Sequence, residues 1–307
     1  MSSPTGPASG LPVRMPRPRQ PGRHRRPEPL AAPEGAPALV LAVPGLPSAA
    51  TRSLAEEVVS IARSELPGLD GRIAYLDGDD SEFPTLQSVL AHAAEERVAR
   101  FEQARAAGVD VVEPDGPVAV VVPLLAGPDG ALLRRVRQAV MDSRVAAELT
   151  DVLGPHPLLA EGLHVRLSEA GLARADRARL FTVATAADGI ILASVGGDEA
   201  VQAAGITGML LAARLAVPVM AAALDVDGAI AATAEQLRSS GSQQLALAPY
   251  LIGPELDAGL LDAAAKEAGC SAADALGPYP AIGKLALAKY TSALGIAPPQ
   301  PQGAPVR

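Results

Sequence analysis

The sequence is poor in the residues that build cross-linked or stacking sites. Its 307 residues include one cysteine, Cys270, and no tryptophan, and aromatic residues make up 2% of the chain. A single cysteine excludes a disulfide within the chain and a cysteine-rich zinc or iron–sulfur centre. It also fits a reducing compartment, so we expect a cytoplasmic protein. The scarcity of aromatic rings argues against a stacking platform for nucleobases.

Long apolar runs are also missing, although hydrophobic residues make up 49% of the chain. The most apolar stretch, 209–224, contains Arg214 and Pro218 and is short for a membrane span. It predicts a helix that ends near Leu215, followed by a strand. We therefore expect no membrane association. The abundance of Ala, Leu and Val favours parallel sheet covered by helices.

Positive charge is concentrated at the N-terminus, whereas the rest of the chain is acidic. Residues 1–36 hold six arginines and two glutamates, a net charge of +4. Because the whole chain has a net charge of −8, the remaining residues carry −12. An acidic body argues against nucleic-acid binding. The segment has no apolar core, so it is not a signal peptide. Its Pro/Arg-rich composition predicts a disordered tail, with a basic docking arm as the alternative and either Met1 or Met15 as the start.

Apolar runs alternate with helical segments along the remainder of the chain. Leu39–Val43 predicts a buried strand that ends at Pro44 and Gly45, and a helix is expected over 48–66. Val118–Leu125 gives the strongest strand pattern, and a further strand is expected to end at Val152–Pro157. This alternation predicts an α/β fold in which parallel sheet is covered by helices.

The pattern occurs twice, which indicates two tandem copies of one unit. Segment 189–197 resembles the first strand and its glycine loop, and segment 245–254 resembles the strand at 120–128. Asp151–Pro157 and Asp274–Pro280 match at five of seven positions, 123 residues apart. The first copy is longer around 78–116, where we expect a longer helix.

These matches divide the chain into five predicted parts. They are a basic tail (1–36), a first α/β half (37–170), a linker (171–186), a second α/β half (187–295) and a loose C-terminal tail (296–307). Ligands of open α/β sheets bind beyond the carboxyl ends of the strands. We therefore expect a cleft between the halves, lined by the loops that follow the strands.

Those loops carry a resemblance to a known family. A strand with a glycine loop, a Val-Val-Pro-Leu-Leu strand at 121–125 and the segment Leu153–Leu159 together resemble the sirohydrochlorin cobalt/iron chelatases, the class II tetrapyrrole chelatases, over residues 37–294. The resemblance implies two tandem chelatase-like halves. It also implies a tetrapyrrole bearing many carboxylates as substrate, a divalent cobalt or iron ion as second substrate, and no required cofactor, in cobalamin or sirohaem synthesis.

The sequence departs from the family at the residues that present the metal. The resemblance implies a histidine in each of the first two glycine loops, but these positions fall at Pro44 and near Asp129. The second copy has Val195 and, approximately, Glu255. Asp129 is the remaining candidate metal ligand, although a carboxylate suits cobalt less well than imidazole does.

The histidines and arginines supply the other candidate site residues. His156, in a strand-end loop, is the candidate base or carboxylate-binding group, with capping of the following helix as the alternative. His164 and His92 are expected to be structural and solvated, respectively. The candidate substrate-binding residues are Gly45, Gly127, Arg134, Gly154 and His156.

Two hypotheses for the function follow. The chain inserts or handles a divalent metal in a tetrapyrrole, or it is a degenerate relative that binds a tetrapyrrole or a protein partner without inserting metal. No phosphate-binding loop of the Gly-x-x-x-x-Gly-Lys type and no Gly-x-Ser-x-Gly nucleophile elbow occurs in the sequence. The residues leave the oligomeric state open.

Overall fold

The structure, a computed structural model, describes residues 31–33, 35–110, 115–173, 186–253, 255 and 259–295. The predicted tails, apart from a few residues next to the first strand, lie outside the described residues, as does most of the predicted linker. The described part consists of two four-stranded parallel sheets and their helices.

The first sheet is built from the N-terminal part of the chain. Its strands have the order β2-β1-β3-β4, and every pair is parallel. The elements of this part are β1 (Ala38–Val43), α1 (Ala49–Glu65), β2 (Gly71–Tyr75), α2 (Leu86–Ala106), β3 (Ala119–Pro123), α3 (Gly130–Ser143), β4 (Ala147–Leu149) and α4 (Pro157–Glu169).

The second sheet has the same topology. Its strand order is β6-β5-β7-β8, again with parallel pairs throughout. The elements are β5 (Gly189–Ser194), α5 (Gly197–Leu215), β6 (Val219–Ala223), α6 (Ala229–Ser239), β7 (Leu245–Pro249), α7 (Leu260–Ala268), β8 (Ser271–Ala272) and α8 (Pro280–Ala293). The predicted α/β class, with two halves that are each a parallel sheet covered by helices, is thus confirmed.

The central strands are buried on both faces, which explains their unbroken apolar sequences. In β1, Leu39 and Leu41 point into the core between the two sheets, whereas Val40 packs against the helices on the outer face. In β5, Ile190 and Ile191 divide in the same way. The inner core is one continuous cluster to which both halves contribute.

The two halves exchange their last helices. Helix α8 packs against α1 and the strands β1 and β3 of the first sheet, and α4 packs against α5 and β7 of the second sheet. Tyr290 of α8 reaches the beginning of the first sheet, where its hydroxyl donates to the carbonyl of Pro37 over 2.7 Å. Arg166 of α4 donates from Nε and Nη2 to the carbonyl of Leu276 at 3.0 and 2.8 Å. Each sheet is therefore covered partly by the other half.

The strand expected to end at Val152–Pro157 lies earlier in the chain. The fourth strand of the first sheet is Ala147–Leu149, and the later segment is a loop with a cis bond between Gly154 and Pro155. Val152 and Leu153 are buried although they belong to no strand. Their apolar character reflects packing of a loop, which a short apolar run cannot distinguish from a strand. The long first-copy helix is confirmed: α2 has 21 residues and its counterpart α6 has 11.

The most apolar stretch of the sequence divides as predicted. Helix α5 ends at Leu215 and strand β6 begins at Val219. Within the described ranges, the helices are all too short or too polar to cross a membrane.

The contact between α1 and α8 requires a glycine. A Cβ at Gly283 would lie 2.6 Å from Cβ of Ile61 and 2.8 Å from the carbonyl oxygen of Val58. We predict that Gly283→Ala lowers the free energy of unfolding by about 1–3 kcal/mol, because the exchanged helix is forced away from α1. Urea denaturation measures the change.

Gly205→Ala is the matched control, because Gly205 also lies within a helix, α5, but has open space around its Cβ position. We expect it to stabilise the protein by about 0.5–1 kcal/mol through helix propensity. Equal effects of the two substitutions would contradict the role assigned to the close contact.

Candidate functional site

The carboxyl ends of the two sheets meet at Tyr250, which follows β7. A Cβ at Gly127 would lie 3.0 Å from Cε1 of Tyr250, and one at Gly154 would lie 2.3 Å from its hydroxyl. Thr207 of α5 donates to that hydroxyl over 3.1 Å, and burial raises the pKa of Tyr250 to about 12. Gly127 and Gly154, both predicted to bind substrate, thus make room for this ring.

A small cavity remains beside Tyr250. It has a volume of about 10 Å³, and its lining includes Asp129, Ser194, Tyr250 and Glu255. Ser194 Oγ is buried and has no hydrogen-bond partner among the described residues. Ile252 and Gly253 donate their backbone N–H groups to the carboxylate of Glu255 over 2.7 and 2.9 Å. Burial raises the pKa of Glu255, and the negative charge of Asp129 raises it further.

Asp129, the candidate metal ligand, caps helix α3. Its Oδ1 accepts the backbone N–H groups of Ala131 at 2.8 Å and Leu132 at 2.9 Å. A carboxylate in this position accepts hydrogen bonds from two backbone N–H groups that have no partner within the helix, and its negative charge interacts favourably with the helix dipole. Asp129 and Glu255 occupy corresponding loops of the two halves, as the sequence indicated, and the structure shows that they border the same cavity.

His156 caps helix α4. It precedes Pro157 in the chain, and its Nδ1 accepts the backbone N–H of Leu158 at 3.1 Å. Burial lowers the pKa of His156, and the nearby charge of Lys289 lowers it further. The neutral ring is the form that the cap requires, because a protonated Nδ1 has no lone pair to accept with. The capping alternative therefore describes the hydrogen bond that His156 forms.

A groove of about 600 Å³ runs between the halves on the same side of the sheets. One part of its lining is apolar and comes from Leu133, Val152, Ala203 and Ile206. The polar part consists of Arg137, Thr150, Asp151, Glu199, Gln202 and Lys289. Gly154 also borders the groove, next to Pro155.

The other predicted residues lie away from this groove. Arg134 is exposed on α3, with the groove lined instead by Arg137, one turn further along the helix. Gly45 has φ +79° and directly precedes the exposed Leu46. His164 is buried and accepts from Arg214 Nε over 2.7 Å, as expected of a structural residue. His92 is exposed and pairs with Glu96 at 2.8 Å.

The described residues contain no group of three or more His, Cys, Asp or Glu side chains that could hold a metal ion. Asp129 and Glu255 are a pair of carboxylates, and His156 uses Nδ1 as a cap.

Sequence reasoning missed the residues of α5 and α8 that line the groove. Glu199, Gln202, Ala203 and Ile206 follow the spacing of one helix face, a signal that was present in the sequence. Lys289 offered no such signal, because its position depends on the exchange of α8.

Comparisons with known proteins support the fold. No family model and no curated protein matches the chain. Among solved structures, the chain is similar to CbiX, the terminal enzyme for biosynthesis of siroheme in denitrifying bacteria, with a TM-score of 0.50 and 15% identity over 83% of this chain and 99% of that chain. A periplasmic ribose ABC transporter structure from Conexibacter woesei matches at a TM-score of 0.27 and 15% identity over 86% and 71% of the two chains, too weakly to bear on the fold. The chain thus has a chelatase-like fold.

The cap at His156 predicts a pH dependence of stability. Because its pKa is lower in the folded protein, the folded state binds the proton less readily than the unfolded chain does. The stabilising contribution of His156 is complete above the unfolded pKa of about 6.5 and is lost as the pH falls towards the folded value. We expect His156→Asn, which keeps a capping oxygen but does not titrate, to lose less stability than the native protein between about pH 7.5 and 5. Urea denaturation at each pH measures the free energy of unfolding.

His156→Ala removes both the cap and the titrating group. We expect it to cost about 0.5–2 kcal/mol at pH 7.5. Equal stability of the Asn and Ala variants at this pH would show that the cap hydrogen bond contributes nothing.

Proposed function

We propose that this protein binds a tetrapyrrole in the groove between its halves and holds it without inserting metal. The observation that carries the proposal is the position of the groove, at the carboxyl ends of the strands of a chelatase-like fold. Its volume of about 600 Å³ lies within the range of roughly 300–1,000 Å³ typical of small-molecule sites.

Part of the lining suits a flat ring that bears carboxylates. Leu133 and Ile206 offer apolar surface to the face of a macrocycle. Arg137 and Lys289 supply the positive charge that carboxylates at its edge require. Ile206 is 47% exposed, so apolar area remains for a ligand to cover.

Metal insertion is the second candidate, supported by the likeness of the fold to that of CbiX. In it, Asp129 presents cobalt or iron as a substrate and His156 takes protons from the pyrrole nitrogens. Both side chains already accept backbone hydrogen bonds at helix N-termini, which favours binding without insertion.

Titration with sirohydrochlorin tests binding. We expect a saturable change in the absorbance of the macrocycle, weakened roughly three- to tenfold by Arg137→Ala, which removes one charged hydrogen-bond donor. Arg134→Ala is the matched control one turn away, since Arg134 does not line the groove. Equal weakening by both substitutions, or no spectral change with the native protein, would contradict the assignment of the groove.

The insertion assay separates the two candidates. Sirohydrochlorin with Co²⁺ or Fe²⁺ is followed by absorbance with and without the protein, and we expect no acceleration. If the protein does accelerate insertion and Asp129→Asn abolishes this, the second candidate is correct. Asn is used because it retains the cap on α3, which Ala would remove.

A further inference from the structure

The groove carries equal numbers of positive and negative side chains. Arg137 and Lys289 face it together with Asp151 and Glu199, and Gln202 adds an uncharged amide. Within the described part of the chain, none of these five side chains forms a hydrogen bond or an ion pair with the protein. Both kinds of charge therefore remain available to a ligand.

A ligand with carboxylates on every side gains little from such a lining. Its attraction to Arg137 and Lys289 is offset by repulsion from Asp151 and Glu199, since these energies scale alike with distance. The N-terminus of α5 would otherwise attract anions, but Asp198 and Glu199 lie in its first turn. This end of the groove thus favours a donor group over a carboxylate.

We propose that the groove selects a tetrapyrrole with a mixed periphery, in which carboxylates contact Arg137 and Lys289 while carboxamide groups donate to Asp151 and Glu199. Gln202 pairs with either group, because its amide both donates and accepts. This inference rests on the proposed binding of a tetrapyrrole and names the chemical class of the ligand.

A comparison of the affinities of two macrocycles tests the inference. The probes are sirohydrochlorin and a derivative in which about half of its carboxylates are converted to primary amides. We expect the full-length protein to bind the partly amidated compound at least three times more tightly at low salt, as measured by absorbance titration, a gain of the size of one hydrogen bond. Equal or tighter binding of sirohydrochlorin would overturn the inference but leave the proposed function standing, whereas binding of neither compound would overturn both.

Glu199→Gln assigns the preference to a residue. We expect this substitution to weaken binding of the amidated compound and to strengthen binding of sirohydrochlorin, so that the ratio of the two affinities falls at least threefold. Glu148→Gln is the matched control, because Glu148 is exposed on β4 and does not line the groove. The same change of the ratio in both variants would show that overall charge, and not Glu199, sets the preference.

Discussion

The packing of α8 on the first sheet and of α4 on the second is the constraint from which the other features follow. A parallel sheet must be covered on both faces, and here each half lacks one helix of its own inner layer. The core between the sheets is consequently continuous. Gly283 allows α8 to approach α1 closely, and Arg166 ties α4 to the loop before α8. The halves are joined by shared layers rather than by a linker alone.

This arrangement also positions the groove. With the carboxyl ends of both sheets held together, Tyr250 fills the space between Gly127 and Gly154, and a cavity of only about 10 Å³ is left there. The open volume lies to one side, where α3, α5 and α8 border it. A ligand in this groove touches both halves, so bound ligand and the contact between halves are expected to stabilise each other.

The sequence predicted the helices and strands better than it predicted which of them pack together. Leu39–Val43 was recognisable as a strand because every residue is apolar, and that pattern follows from burial on both faces. Val152 and Leu153 were wrongly predicted to belong to a strand, because a buried loop can have the same apolar composition as a buried strand. The exchange of α4 and α8 was beyond sequence reasoning, since periodicity identifies the buried face of a helix but not the sheet that covers it.

The candidate site shows the same division. Asp129 and Glu255 were found because the family resemblance and the internal repeat place them in corresponding loops, and position in a loop after a strand is a local property of the sequence. Arg134 was chosen where Arg137 lines the groove, because the choice depends on the rotation of α3, which the buried Val136 and Ala139 fix. Tyr250 was overlooked, since its role depends on glycines of the other half.

The exchange also has a consequence for the order in which the protein is made. During synthesis the first sheet is complete once β4 has left the ribosome, yet its covering helix α8 emerges only after all four strands of the second sheet. Until then the inner faces of β1 and β3 lack one of their covering helices. Helix α4 likewise has no sheet to pack against until β5 and β7 have been made. A chain of this design cannot finish its first half before its second, so apolar surface on the first sheet stays exposed until α8 has been made.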